Sequence, residues 1–384
     1  MPFQLKTPGV YREDVLLAPA APLPTGVPGF VGFVETAQGQ PVAPDAPVVL
    51  HRQDEFETRY RSAAGGYVAD AIAGFFRNGG ARCYVVAADP ARDRATALVN
   101  ALEALGPLDD LDLVAVPDAA TLVNSSQAPD VDAIERVQRA ALAHCERHQN
   151  RLAILDALPG ADAAAVLAQR DSITVGVREP VDGALYFPWL RLESGRVVPP
   201  CGHVAGVYAR TDQKTGVFKA PANEPLRGVL DLESKVDDQL QAQLNPAHVN
   251  CLRVFPGRGL RVWGARTLSR QEEWRYVHVR RIFITLGRWI ERNVGWTTFE
   301  ANTPHAWVRL RRELDAYLAG LWAAGALAGQ TAAEAYYVKC DEETNPPGRR
   351  AAGEIVTEIG LAPVAPAEFI VVRIIHRLGP GEQA

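Results

Sequence analysis

Residues Asn250 to Val294 read NCLRVFPGRGLRVWGARTLSRQEEWRYVHVRRIFITLGRWIERNV, and the reading of this stretch sets that of the chain. It opens in a run, Val249 to Phe255, of the apolar and β-branched character of a strand, and breaks at Pro256-Gly257-Arg258-Gly259. A second strand-like run follows, Leu260 to Trp263, so the glycines read as a hairpin turn rather than a phosphate loop. Ser269 stands three residues before Glu272, the spacing of a capping box, and predicts a helix starting there. Val279, Ile282, Phe283, Leu286 and Ile290 give that helix an apolar stripe. Arg281, Thr285, Arg288 and Arg292 form a second, basic stripe, and no acidic residue four positions earlier pairs with its arginines. The stripe is thus a solvated face or a charged contact surface.

Upstream, residues 1–28 hold six prolines and few residues able to build a core, and read as an extended arm. Strands then alternate with helices. Phe30–Val34, Val48–Leu50, Cys83–Ala87, Asp112–Val116, Leu152–Asp156 and Ala184–Phe187 have strand character, with a further short strand near Thr174. Tyr67–Asn78, Ala95–Leu105, Asp130–Arg147 and Ala161–Arg170 have helical spacing. This rhythm predicts an α/β fold, a mostly parallel sheet with helices on both faces. Gly228 to Gln243 reads as weakly helical or irregular. Downstream, Thr303-Pro304 starts a helix whose apolar stripe is Trp307, Leu310, Leu314, Tyr317, Leu318 and Leu321. Strands at Ala335–Lys339, Ile355–Leu361 and Phe369–His376 follow. The last lies near the chain end, and an unpaired edge there invites another chain.

The 384 residues permit a large core, and 47% hydrophobic with 22% charged residues is an ordinary globular balance. A net charge of −5 gives no whole-chain argument for nucleic acid or an anionic membrane. No apolar run spans a bilayer, so no direct membrane insertion is expected. The first residues lack the apolar centre of a signal peptide, so release from a cell would need another route. Five widely spaced cysteines, without a Cys-x-x-Cys pair, read as small buried residues. His144 and His148 share a helix face, but no third ligand accompanies them and no metal or other cofactor is expected. The turns after the candidate strands carry neither a phosphate-binding glycine motif nor a Gly-x-Ser-x-Gly elbow, so no catalytic residue is assigned. The competing class is an α/β enzyme, hydrolase-like or nucleotide-binding, with a C-terminal accessory domain.

The run Gly259-Leu260-Arg261-Val262-Trp263-Gly264-Ala265-Arg266-Thr267-Leu268 resembles the signature of contractile tail sheath proteins. The resemblance continues through Tyr276–Arg281, Asn293–Trp296, Tyr337–Asn345 and Pro366–Val371, and Thr7–Val15 fits it too. It implies an arm at 1–28, an α/β outer domain at 29–240, an inner α+β domain at 241–365 and a C-terminal strand or arm at 366–384. It also implies a helical polymer of this chain around an inner tube protein, with sibling sheath proteins, a baseplate and a terminator cap as further partners. Such particles assemble in the bacterial cytoplasm, as part of a phage tail or of a released injection particle. Both arms would add strands to neighbouring subunits: Leu5, Val10, Tyr11 and Arg12 at one end, and Phe369, Ile370, Val371, Val372 and Ile374 at the other. A helix of the inner domain would face the tube by charge, and Arg281, Arg288, Arg292, Arg309 and Arg312 are the candidates for that contact.

Overall fold

Runs such as Cys83–Ala87 and Leu152–Asp156 carry apolar side chains on both faces, and such strands are stable when both faces are covered. The computed structural model, which describes residues 23–40, 42, 46–366 and 368, covers them. Its main sheet contains β1 (Pro28–Gly32), β2 (Val48–Leu50), β3 (Cys83–Ala87), β4 (Leu113–Ala115) and β5 (Leu152–Asp156). It continues through β6 (Gly183–Phe187), β7 (Glu224–Pro225), β8 (Val249–Phe255) and β9 (Gly259–Val262). The order is β7-β9-β8-β6-β5-β4-β1-β3-β2. The six strands from β8 to β3 are parallel, while β2 at one edge and β9 with β7 at the other are antiparallel.

Alternate residues supply the two faces. Phe30, Leu113, Ile154, Tyr186 and Leu252 pack with α1 (Val68–Arg77), α5 (Cys201–Lys214) and the start of α6 (Val277–Asn293). Val31, Val114, Leu155, Leu185 and Cys251 pack with α2 (Arg94–Glu103), α3 (Val131–His148) and α4 (Ala163–Thr174). All five cysteines are free and buried. A second, smaller core joins α7 (Pro304–Ala323) to a hairpin of β10 (Tyr336–Lys339) and β11 (Glu358–Leu361). Trp307, Leu310, Leu314 and Cys340 form it, with Trp289, Ile290 and Val294 arriving from the end of α6. Helix α6 therefore runs from the large core into the small one.

Four expectations need correcting. The sheet extends to Val262, so β8 and β9 complete the α/β unit, and a domain start at 241 would cut through it. Ser269 caps no helix; its hydroxyl donates to the Glu179 carboxylate, and α6 begins eight residues later behind Tyr276. Thr174 ends α4 instead of forming a strand, its hydroxyl bonding back to the Arg170 carbonyl at 3.2 Å. Within 228–243, Val229–Leu232 pairs with Leu190–Leu192, and Asp237 caps a helix at Asp238–Leu244. The arm residues Leu5, Val10, Tyr11 and Arg12, and Phe369, Ile370, Val371, Val372 and Ile374, lie outside the described residues.

Candidate functional site

The basic stripe of α6 faces inward. The Arg281 guanidinium, 2% exposed, donates to Asp212 at 2.8 Å and to Asp112 at 2.8 Å. Burial alone would lower its pKa, but Asp212 and then Asp112 outweigh that and raise it, so the arginine stays charged. Asp112 in turn accepts the Gly26 N–H at 3.0 Å and the Val27 N–H at 2.7 Å. Arg288, 3% exposed, donates to the Pro24 carbonyl at 2.9 Å and the Asp109 carbonyl at 3.2 Å. These two arginines hold the segment through which the N-terminal arm joins the fold. They are not on the surface, and Arg281 and Arg288 are withdrawn as tube-facing candidates. The stripe failed as a surface indicator because its partners lie 69 and 169 residues away in sequence, far outside any helical spacing.

The remaining candidates are exposed. Arg292 borders an open groove of about 360 Å³ with Leu23, Phe218, Trp289 and Tyr317. Arg309 lies 3.7 Å over the Trp296 ring and pairs with Glu313 at 3.2 Å. Arg312, on the exposed side of α7, makes no ion pair among the described residues.

At the other end, Arg266 of the signature run takes the corresponding part. It is 7% exposed and grips the Glu368 carboxylate with two nitrogens, Nε at 3.0 Å. Its third nitrogen donates to the Asn245 carbonyl at 2.9 Å. Asn250 of β8 fixes its backbone, accepting the Arg266 N–H at 2.7 Å and donating to its carbonyl at 2.8 Å. The close approach needs a glycine: a Cβ on Gly264 would meet Asn250 Oδ1 at 2.8 Å and its Cα at 3.0 Å. His278 of α6 approaches the Val364 carbonyl at 3.1 Å. The first described residues of the C-terminal arm and the segment ahead of it are thus tied to the same stretch, 250–294. No sequence spacing marks Asp112, Asp212 or Glu368 as partners, although an aspartate directly before the apolar run of β4 was a usable signal.

Other chemically suggestive groups are occupied structurally. His144 packs against His148 and lies 3.1 Å from Arg151, and burial with that charge pulls it down to about 3. Among the described residues no cluster of three or more His, Cys, Asp or Glu side chains could hold a metal ion. Asp118 lies at the carboxyl end of β4, where open α/β sheets place ligands. Its oxygens instead accept the N–H groups of Phe33 at 2.7 Å and Tyr67 at 2.6 Å, and burial pushes it up to about 6. The cleft beside it is lined by Asp93, Arg94, Thr121 and Arg136, which pair among themselves. No described helix is long and apolar enough to cross a membrane.

Comparison with known proteins gives the family. The phage tail sheath protein central domain matches residues 94–268, and the phage tail sheath C-terminal domain matches 269–377. A chain of the anti-feeding prophage baseplate is 30% identical, with a TM-score of 0.78 over 97% of this chain and 99% of that one. The contracted sheath of PVC, an extracellular contractile injection system, is 28% identical with a TM-score of 0.74, over 97% of this chain and 98% of that one. The tail sheath protein of Vibrio phage KVP40 is 27% identical over 48% of this chain, and the match spans 27% of the phage protein's length. With the two domain matches together spanning residues 94–377 and the likeness to the baseplate chain nearly full-length, the chain belongs to the phage tail sheath proteins, a family of structural subunits.

Proposed function

We propose that this chain is the subunit of a contractile sheath, polymerising as helical rings around an inner tube and shortening to drive that tube through a target envelope. The observation carrying this reading is the near full-length likeness to injection-system chains, one of them from a contracted sheath. Contraction is then a passage from a metastable extended lattice to a more stable short one, with the energy stored at assembly and no catalysis by the subunit. Partners are further copies of itself and a tube protein, with sibling sheath proteins, a baseplate and a terminator cap at other contacts. Assembly takes place in the bacterial cytoplasm, before the particle serves as a phage tail or is released.

The arms are the connecting devices in this reading. The β10–β11 hairpin suits them as a receiving sheet, because a two-stranded sheet leaves outward N–H and C=O groups for added strands. Main-chain bonds of this kind keep subunits joined while their domains rotate. Arg292, Arg309 and Arg312 are the candidates left for the tube contact. Negative-stain microscopy of the chain co-expressed with its tube protein is expected to show hollow, ridged cylinders, and dispersed particles at high concentration would reject the reading. Reversing Arg292, Arg309 and Arg312 to glutamate is expected to weaken tube loading, and wild-type loading is expected to fall as salt is added. Loading at the wild-type level would place the tube contact elsewhere.

A further inference from the structure

We propose that the stretch 264–281 is a common anchor that couples the two arms mechanically, with Arg266 and Arg281 as its positioning residues; this rests on the sheath reading above. The path between Gly26 and Glu368 is short and made of hydrogen bonds. Glu368 is held by Arg266, and the loop carrying Arg266 is stitched to the start of α6. The Val277 N–H donates to the Ala265 carbonyl at 2.9 Å and the Thr267 N–H to the Arg275 carbonyl at 2.8 Å. These two bonds set Arg266 opposite Tyr276 as a single antiparallel β-pair. One turn into α6, Arg281 holds Asp112, and Asp112 holds Gly26 and Val27.

The side-chain joints at the two ends are charge-assisted, and that of Arg281 and Asp112 is buried, so water competes poorly for it; the links between the two arginines are neutral backbone bonds. Other bonds brace the anchor against its surroundings. Arg280 pairs with Asp182 at 3.0 Å, and the Leu268 N–H donates to the Gly183 carbonyl at 2.8 Å, both at the start of β6. Arms rooted in separate loops would yield one at a time under tension. Arms rooted in one braced body pass a pull on either end into the other, so displacement of one neighbour reaches the next without slack.

The test uses Glu368→Gln, which keeps size and shape but removes the charge at a site where the side chain is 20% exposed. The purified variant is expected to melt at the wild-type temperature and its sheaths to assemble. On triggered contraction its cylinders are expected to break about tenfold more often than wild type, the scale set by losing a hydrogen bond to a charged group. Glu368→Asp, which keeps the charge, is expected to contract largely intact. Failure of Glu368→Gln to form cylinders where wild type and Glu368→Asp do would overturn the assignment, since the contact would then serve assembly and not the passage of a pull. Glu368→Gln cylinders that contract as intact as wild type would overturn it. Absence of cylinders from the wild-type chain would instead reject the sheath reading itself.

Discussion

Arg281 shows how one side chain can be misjudged from its neighbours in sequence and still be decisive. Its charge is neutralised by Asp112 and Asp212, both buried. Arg281→Met would leave two carboxylates without a counter-charge, and a loss of about 3–5 kcal/mol is expected by chemical denaturation. Arg312→Glu, on an exposed face, is expected to change stability by less than about 0.5 kcal/mol in the same measurement. Asp156 offers a second residue-scale test. Buried at the end of β5, it accepts the Cys201 N–H at 2.8 Å, and burial pushes its carboxyl from the ordinary 3.8 up to about 7. Folding therefore favours its protonated form. That contribution is complete below about pH 4 and is lost as the pH rises to about 7, a span worth about 4 kcal/mol. Asp156→Asn, which cannot ionise, should match wild type near pH 4 and unfold at a higher denaturant midpoint at pH 8. Equal midpoints at pH 8 would show that the carboxyl is not held neutral.

Helix α6 uses its first half to cover the large sheet and its second half to complete the small core. Its apolar stripe was readable from periodicity, whereas the burial of its basic stripe followed from the sheet packed against it. In the β10–β11 hairpin, the Ala362 N–H donates to the Ala335 carbonyl. Alternation along an antiparallel pair then turns the N–H groups of Tyr336 and Val338 away from β11, that of Tyr336 onto the Ala332 carbonyl and that of Val338 toward the outer edge. Val338→Pro removes this outward donor without breaking the hairpin's own ladder. The subunit is expected to stay folded by circular dichroism while cylinders disappear from micrographs. Normal cylinders would exclude that edge as a receiving site.

For the whole molecule, the decisive test is removal of residues 1–20. These residues precede the Asp112 and Arg288 contacts, so the truncated subunit is expected to fold and to remain unpolymerised by sedimentation. Ordered cylinders without the arm would remove it from the assembly. Much of the architecture was legible beforehand, because it depends on short-range regularities. Alternating buried strands and amphipathic helices announced the parallel sheet, glycines 257 and 259, both with φ of 71°, marked the hairpin turn, and Thr303-Pro304 opened α7. The sequence by itself determined the order of elements and the family signature, since periodicity and local motifs are properties of neighbours along the chain. Only the tertiary structure decided that β8 and β9 complete the large sheet, that Arg281 and Arg288 point inward, and that Arg266 meets Glu368. Those outcomes depend on pairings between residues 69 to 169 positions apart for Arg281 and 102 for Arg266, which folding brings together and no local pattern encodes.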